Sequence, residues 1–237
     1  MDDLLAYQFA DGSFGHEKGG KANGVATEQA LLAMVAAKRQ EDGMGGVYAM
    51  DERYEPARFT DIIDHWAEDE ILACVDAGLF LGTGDRQFAP ENPMSRAMLV
   101  TVLWRMEGEP AVIGGESFSD VVEGAWYAEA VRWAKQAGIT DGYEDGSFGV
   151  EESVTRQQIA LFLYRYAAYK KMDVTGGADL GGYADDETVA SWAKQAMEWA
   201  NEKKYVTGST DNCLLPAEYA TRAQVATILM RFVEDIR

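Results

Sequence analysis

Four landmarks recur in step along this chain, and together they constrain its architecture more than any single residue. Trp66, Trp126 and Trp192 are separated by 60 and 66 residues. Gly82, Gly142 and Gly208 keep the same two spacings, as do Phe88, Phe148 and Leu214, and Arg96, Arg156 and Arg222. The additional six residues fall in one place, a linker carrying Gly176-Gly177 and Gly181-Gly182. A period of this length marks a supersecondary unit that cannot bury its apolar face alone and stacks against its own copies.

Each unit contains a signature that opens a helix: Ser95-Arg96-Ala97-Met98, Thr155-Arg156-Gln157-Gln158 and Thr221-Arg222-Ala223-Gln224. Behind them, apolar residues fall at i, i+3, i+4, i+7. They are Leu99, Val102, Leu103 and Met106; Ile159, Phe162, Leu163 and Tyr166; and Val225, Ile228, Leu229 and Phe232. This is one buried helix face written three times. Ser or Thr is a favoured N-cap, and Gln158 and Gln224 complete capping boxes that Met98 cannot. The arginine is the anomaly, because the helix dipole disfavours a cation in the first turn. Its repetition demands a partner: either a buried carboxylate, or an external anion held where free N–H groups point.

An earlier helix in each unit follows the tryptophan, with Ala67, Ile71 and Cys74, then Tyr127, Val131 and Ala134, then Ala193, Met197 and Ala200 facing inward. Each is followed by a turn. Lys204 replaces Gly78 and Gly138 at the start of the third turn, which is expected to differ for that reason. Asp85 and Asp145 read as turn formers. A second arginine series, Arg105, Arg165 and Arg231, lies late in the signature helices, where the dipole favours cations, and reads as structural.

Composition narrows the partners. With 21 basic and 40 acidic residues the chain carries −19, which argues against nucleic acid and anionic membranes. No apolar run approaches the roughly 18 residues of a membrane span. Cys74 and Cys213 give neither a disulfide framework nor a metal spacing, and His16 and His65 are too few for a multi-histidine metal site. No stretch matches the alternating-acid calcium loop. The start, Met1-Asp2-Asp3-Leu4-Leu5, lacks the features of a signal peptide, so the chain reads as a fragment of a longer protein.

The repeated landmarks resemble the S-layer homology family. Its unit opens with Phe-x-Asp, here Phe59-Thr60-Asp61, Phe118-Ser119-Asp120 and Tyr183-Ala184-Asp185, and its signature is Thr-Arg-Ala-Glu. The resemblance covers residues 59–237, with the Glu replaced in all three copies. It implies an all-α fold: three repeats in a pseudo-threefold helical prism around a central three-helix bundle. It also implies non-covalent attachment of an extracellular surface protein to the cell wall. The ligand would be an anionic secondary cell-wall polysaccharide, often pyruvylated, held in grooves between repeats. The glycan-binding residues implied are Arg96, Arg156 and Arg222; Asp61, Asp120 and Asp185; Trp66, Trp126 and Trp192; and Gly82, Gly142 and Gly208. A pyruvyl carboxylate suits arginine, and an aromatic beside a Gly turn suits a sugar ring. The local alternatives are that the tryptophans pack in the core and the aspartates order turns. Repeat one departs most at the signature, and its groove is expected to be the weakest.

The domain reading is a fragment over 1–50, a linker over 51–58, and repeats over 59–117, 118–182 and 183–237. The fragment resembles one repeat edge of the prenyltransferase and terpene-cyclase type α/α toroid, on Gln8, Asp11-Gly12-Ser13-Phe14-Gly15 and the helix start Ala26-Thr27-Glu28-Gln29-Ala30-Leu31. It has no acid cluster, metal set or nucleophile–base pair. The reading therefore assigns no catalytic residue, no metal and no cofactor. The alternatives are the C-terminal part of a surface enzyme with a toroid domain, and a structural component that self-associates in a surface layer.

Overall fold

The computed structural model describes residues 58–112, 114–115 and 117–236. The toroid-like stretch and nearly all of the 51–58 linker lie outside the described residues. Phe59–Arg237 forms a compact unit. Its six described helices are α1 (Glu68–Asp76), α2 (Arg96–Met106), α3 (Ala128–Gln136), α4 (Arg156–Tyr169), α5 (Lys194–Glu202) and α6 (Arg222–Ile236). A single 3-10 turn, Asp186–Thr188, precedes α5. Among the described residues there is no strand, only isolated bridges.

The signature helices begin where the caps predict. Ser95 accepts the Met98 N–H, and Thr155 and Gln158 form a reciprocal capping box. Thr221 and Gln224 do the same, with N···O distances of 3.2 and 3.3 Å. Copy one lacks the return bond because Met98 has no acceptor.

Pairing runs around a ring. Each signature helix packs on the first helix of the next repeat: α2 on α3, α4 on α5, and α6 on α1. The last contact closes the chain on itself, and Cys74 of α1 points its thiol at the Ala226 carbonyl of α6, 3.6 Å away. Burial pushes that thiol up to about 12, so it is inert at neutral pH. The periodic faces are all inside, apart from the half-buried Met106. α2 and α6 are buried on nearly every side, as helices at the centre of a bundle must be. Tyr166 of α4 meets Phe232 of α6 with ring centroids 5.7 Å apart. Each fully buried Phe or Leu of this kind contributes roughly 1.5–3 kcal/mol.

At the start of the central helices backbone hydrogen bonds tie the repeats together. Met94 N–H donates to Ala220 O at 3.0 Å, Ala220 N–H to Val154 O at 3.0 Å, and Val154 N–H to Met94 O at 2.8 Å. These three bonds form a closed cycle, one residue from each repeat. The first-turn N–H groups are also consumed: Arg96, Arg156 and Arg222 donate to the carbonyls of Glu152, Glu218 and Asn92, and Gln157 and Ala223 to those of Pro216 and Pro90. The helix starts therefore offer an external anion none of these donors, and the N-terminal anion site expected from the signature is already filled by protein.

The third turn does not differ. Gly78, Gly138 and Lys204 have φ of 73°, 71° and 63°, and each is followed by a residue whose N–H returns to the helix, Leu79 to Cys74, Ile139 to Ala134 and Tyr205 to Ala200. Lys204 adopts the left-handed conformation at a steric cost because the returning hydrogen bonds and the burial of Tyr205 over-determine it.

Candidate functional site

Three surface grooves repeat with the ring, each assembled from all three units. The first, of about 390 Å³, is walled by the turn around Gly82, by Arg105 of α2 and by Trp126 of the next repeat, with Arg222 of the preceding repeat at its edge. The second, about 330 Å³, has Gly142, Arg165, Trp192 and Arg96 in the same roles. The third, about 320 Å³, has Gly208, Arg231, Trp66 and Arg156. The third groove spans the seam between the last repeat and the first.

The tryptophans of the landmark series are not core residues. Trp66, Trp126 and Trp192 are 61%, 57% and 53% exposed, so the packing alternative is wrong for all three. Each is held at its base because the next residue is buried, Ala67, Tyr127 and Ala193. An exposed indole fixed on a helix start is the kind of flat apolar surface a sugar ring packs against.

The signature arginines turn inward. Arg96 and Arg222 are buried, and Arg156 is half-buried. Their Nε atoms donate to the carbonyls of Phe148, Leu214 and Phe88, at 2.9, 2.8 and 2.9 Å. Arg156 and Arg222 add Nη2 bonds to Thr207 O and Leu81 O. Burial lowers all three guanidinium pKa values, and the aspartate of the following repeat opposes this in each case. Their partners are thus carbonyls first and carboxylates second, a combination that neither of the two expected explanations contained.

Those aspartates stand behind the turns and are not among the residues lining the three grooves. Asp61 accepts the N–H groups of Phe88 and Ala89, and Asp185 those of Leu214 and Leu215. Asp120 accepts from Phe148, Gly149 and Val150. Burial pushes the Asp120 carboxyl up, but its backbone donors outweigh that and hold it below its ordinary value. The turn glycines are required by packing: a Cβ on Gly82 would lie 2.6 Å from the Phe59 ring, and those on Gly142 and Gly208 would overlap Phe118 and Tyr183. Asp145 orders its own turn through Ser147, as expected.

What the sequence reading missed is the second arginine series. Arg105, Arg165 and Arg231 line the grooves beside the exposed tryptophans rather than only serving the helix ends. Arg105 donates to Leu79 O at 3.0 Å, Arg165 pairs with Asp141 at 2.8 Å, and Arg231 donates to Lys204 O at 3.3 Å. Their recurrence was the available signal; the helix dipole was a sufficient local explanation and hid a second one. Among the described residues no cluster of side chains could hold a metal ion, and no helix is long and apolar enough to cross a membrane.

Residues 58–97, 117–160 and 182–226 each match the S-layer homology domain. The chain belongs to the S-layer homology family. Among curated proteins it is similar to an amylopullulanase of Thermoanaerobacterium thermosulfurigenes, 30% identical over 74% of this chain. It also resembles a surface-layer 125 kDa protein of Lysinibacillus sphaericus, 29% identical over 73%, and a cellulosome-anchoring protein of Acetivibrio thermocellus, 26% identical over 62%. The shared region spans only 9%, 14% and 33% of those proteins. The region similar to this chain is thus a minor part of proteins named as an amylopullulanase, a surface-layer protein and a cellulosome-anchoring protein.

Proposed function

We propose that this chain attaches a protein to the bacterial cell surface by binding an anionic secondary cell-wall polysaccharide, pyruvylated on its sugars, in the grooves between repeats. The observation that carries this reading is the threefold recurrence of one constellation: an exposed tryptophan from one repeat facing a groove-lining arginine from its neighbour. The indole supplies a face for the sugar ring, and the guanidinium supplies a charge-assisted partner for a carboxylate. Local cations are needed, because a chain of charge −19 repels an anionic polymer at long range.

In this reading the landmark residues divide the work. Trp66, Trp126 and Trp192 are the flat faces offered to sugar, with Arg105, Arg165 and Arg231 lining the same grooves. Arg96, Arg156 and Arg222 form the groove edges while tying repeats together. Gly82, Gly142 and Gly208 keep the groove wall close to the backbone. Asp61, Asp120 and Asp185 act from behind by holding the turns. The relatives support an anchoring role, since one is itself an anchoring protein and another a surface-layer protein.

The test is co-sedimentation of the chain with purified Gram-positive sacculi, before and after chemical removal of the secondary polysaccharide. Binding that disappears with the polysaccharide is expected. Equal binding to stripped walls, or concentration-dependent self-association with no wall binding, would replace this reading with peptidoglycan attachment or lattice assembly.

A further inference from the structure

The three grooves are alike in plan and unlike in chemistry, and the differences select one of them. The deciding positions are those equivalent by the 60- and 66-residue offsets: Leu81, Asp141 and Thr207; Thr83, Tyr143 and Ser209; Pro93, Ser153 and Tyr219. The bridges Pro93–Thr221, Ser95–Ser153 and Thr155–Tyr219 confirm the last set as structurally equivalent.

In the second groove both cations are already occupied. Arg165 holds the Asp141 carboxylate at 2.8 Å. Tyr143 lies over Arg96, 4.6 Å from guanidinium carbon to ring centroid, and its hydroxyl is fixed on Glu152 at 2.6 Å. An incoming carboxylate meets a negative charge at the place it would use. The first groove has no acidic lining residue, although Arg105 lies 3.9 Å from Glu109; its walls are mainly Leu79, Phe80, Leu81, Met94, Met98 and Val102, with Thr83 and Thr101 as its neutral polar side chains. In the third groove Thr207 and Ser209 replace the blocking residues, Gln224 supplies a hydroxyl partner, and the carboxylate of Glu218, which is not paired with Arg231, can accept from sugar hydroxyls; Thr227, like Thr101 in the first groove, is buried and back-bonded to its own helix. Arg231 is exposed and forms no ion pair among the described residues, its one carbonyl bond being 3.3 Å. A second exposed aromatic, Tyr219 at 62%, joins Trp66 on the lining.

We propose that the seam groove between the third and first repeats is the anionic-sugar site. Trp66 and Tyr219 pack on the sugar and Arg231 takes its carboxylate, while the second groove is self-blocked by Asp141. This rests on the anchoring reading and adds which groove works and why. It departs from the expectation that the groove of repeat one is the weakest, because the self-blocked groove is that of repeat two. The ranking follows residues 81, 141 and 207, which lie outside the signature.

The experiment is proton–nitrogen correlation NMR of the full chain titrated with a synthetic pyruvyl-ketal methyl glycoside and with its neutral methyl ester. Indole signals are assigned by single Trp→Phe variants. The Trp66 indole is expected to shift with the acid and at least tenfold more weakly with the ester, while Trp126 and Trp192 stay in place. Arg231→Ser and Tyr219→Ser should each weaken the Trp66 response about tenfold. In Asp141→Ser the Trp192 indole should begin to shift. Movement of Trp126 or Trp192 in the unaltered chain, or an unmoved Trp192 in Asp141→Ser, overturns the groove assignment while leaving polysaccharide-dependent wall binding standing. No indole shift together with no wall binding overturns both.

Discussion

Arg96 and Asp120 belong to different repeats and grip the same residue from opposite sides. Arg96 Nε donates to the Phe148 carbonyl at 2.9 Å, and Asp120 accepts the Phe148 N–H at 2.7 Å. The arrangement is repeated by Arg156 and Asp185 on Leu214, and by Arg222 and Asp61 on Phe88. Cation and anion are coupled through a peptide group instead of touching. The signature arginine thus ties each repeat to the turn of the next.

Removing that link should destabilise the ring. Arg222→Ala leaves the carbonyls of Phe88 and Leu81 without their donors in a buried seam, at a cost of about 2–4 kcal/mol. Urea denaturation should show a lower midpoint for Arg222→Ala, and for Arg156→Ala by the same reasoning. An unchanged midpoint in both would contradict the account of the signature.

Acid should act through the carboxylates that hold the turns and helix ends. Asp120 is depressed by its backbone donors against the upward push of burial, and Glu107 likewise by Lys170 and the Tyr166 hydroxyl. A depressed folded-state pKa contributes stability that is present above the ordinary value of about 4 and is lost as pH falls through the folded value. Asp120→Asn removes this contribution at every pH. The gap in melting temperature between the two proteins should be full at pH 6 and shrink below pH 4. A constant gap down to pH 2.5 would show that Asp120 acts by shape alone.

Turn geometry gives a pair of opposite effects. Gly142→Ala places a Cβ into the Phe118 ring in a left-handed conformation and should cost about 2 kcal/mol or more. Lys204→Gly relieves a left-handed lysine and should stabilise by about 0.5–1 kcal/mol. Thermal unfolding distinguishes them by sign; a destabilised Lys204→Gly would mean that the lysine side chain holds the turn.

Much of this fold was legible because the repeat writes each element three times. The helix faces, the caps and the register of the four landmarks all follow from spacing, and the missing return bond at Met98 follows from its chemistry. The destination of each repeated side chain was harder to read. Trp66 stands just before α1 and Trp133 within α3, yet one is 61% exposed and the other 5%, because packing between repeats sets which face meets a neighbour. Arg96 and Arg165, expected at a ligand and at a helix end, both line the second groove. The helix start of Arg96 is buried by the following repeat's loop, and the later Arg165 emerges at a groove. Such contacts span some 50 to 140 residues, as between Arg222 and Leu81, |i−j| of 141, and no local pattern encodes them.

The most direct test of the account is wall binding by a chain carrying Trp66→Ala, Trp126→Ala and Trp192→Ala together. The three indoles are exposed, so each substitution should change stability by roughly 0.5 kcal/mol or less, and circular dichroism should show an unaltered helical fold. Co-sedimentation with polysaccharide-bearing sacculi is predicted to be lost in this folded variant. A folded triple variant that still sediments with the walls would contradict the assignment of the inter-repeat grooves as the binding site.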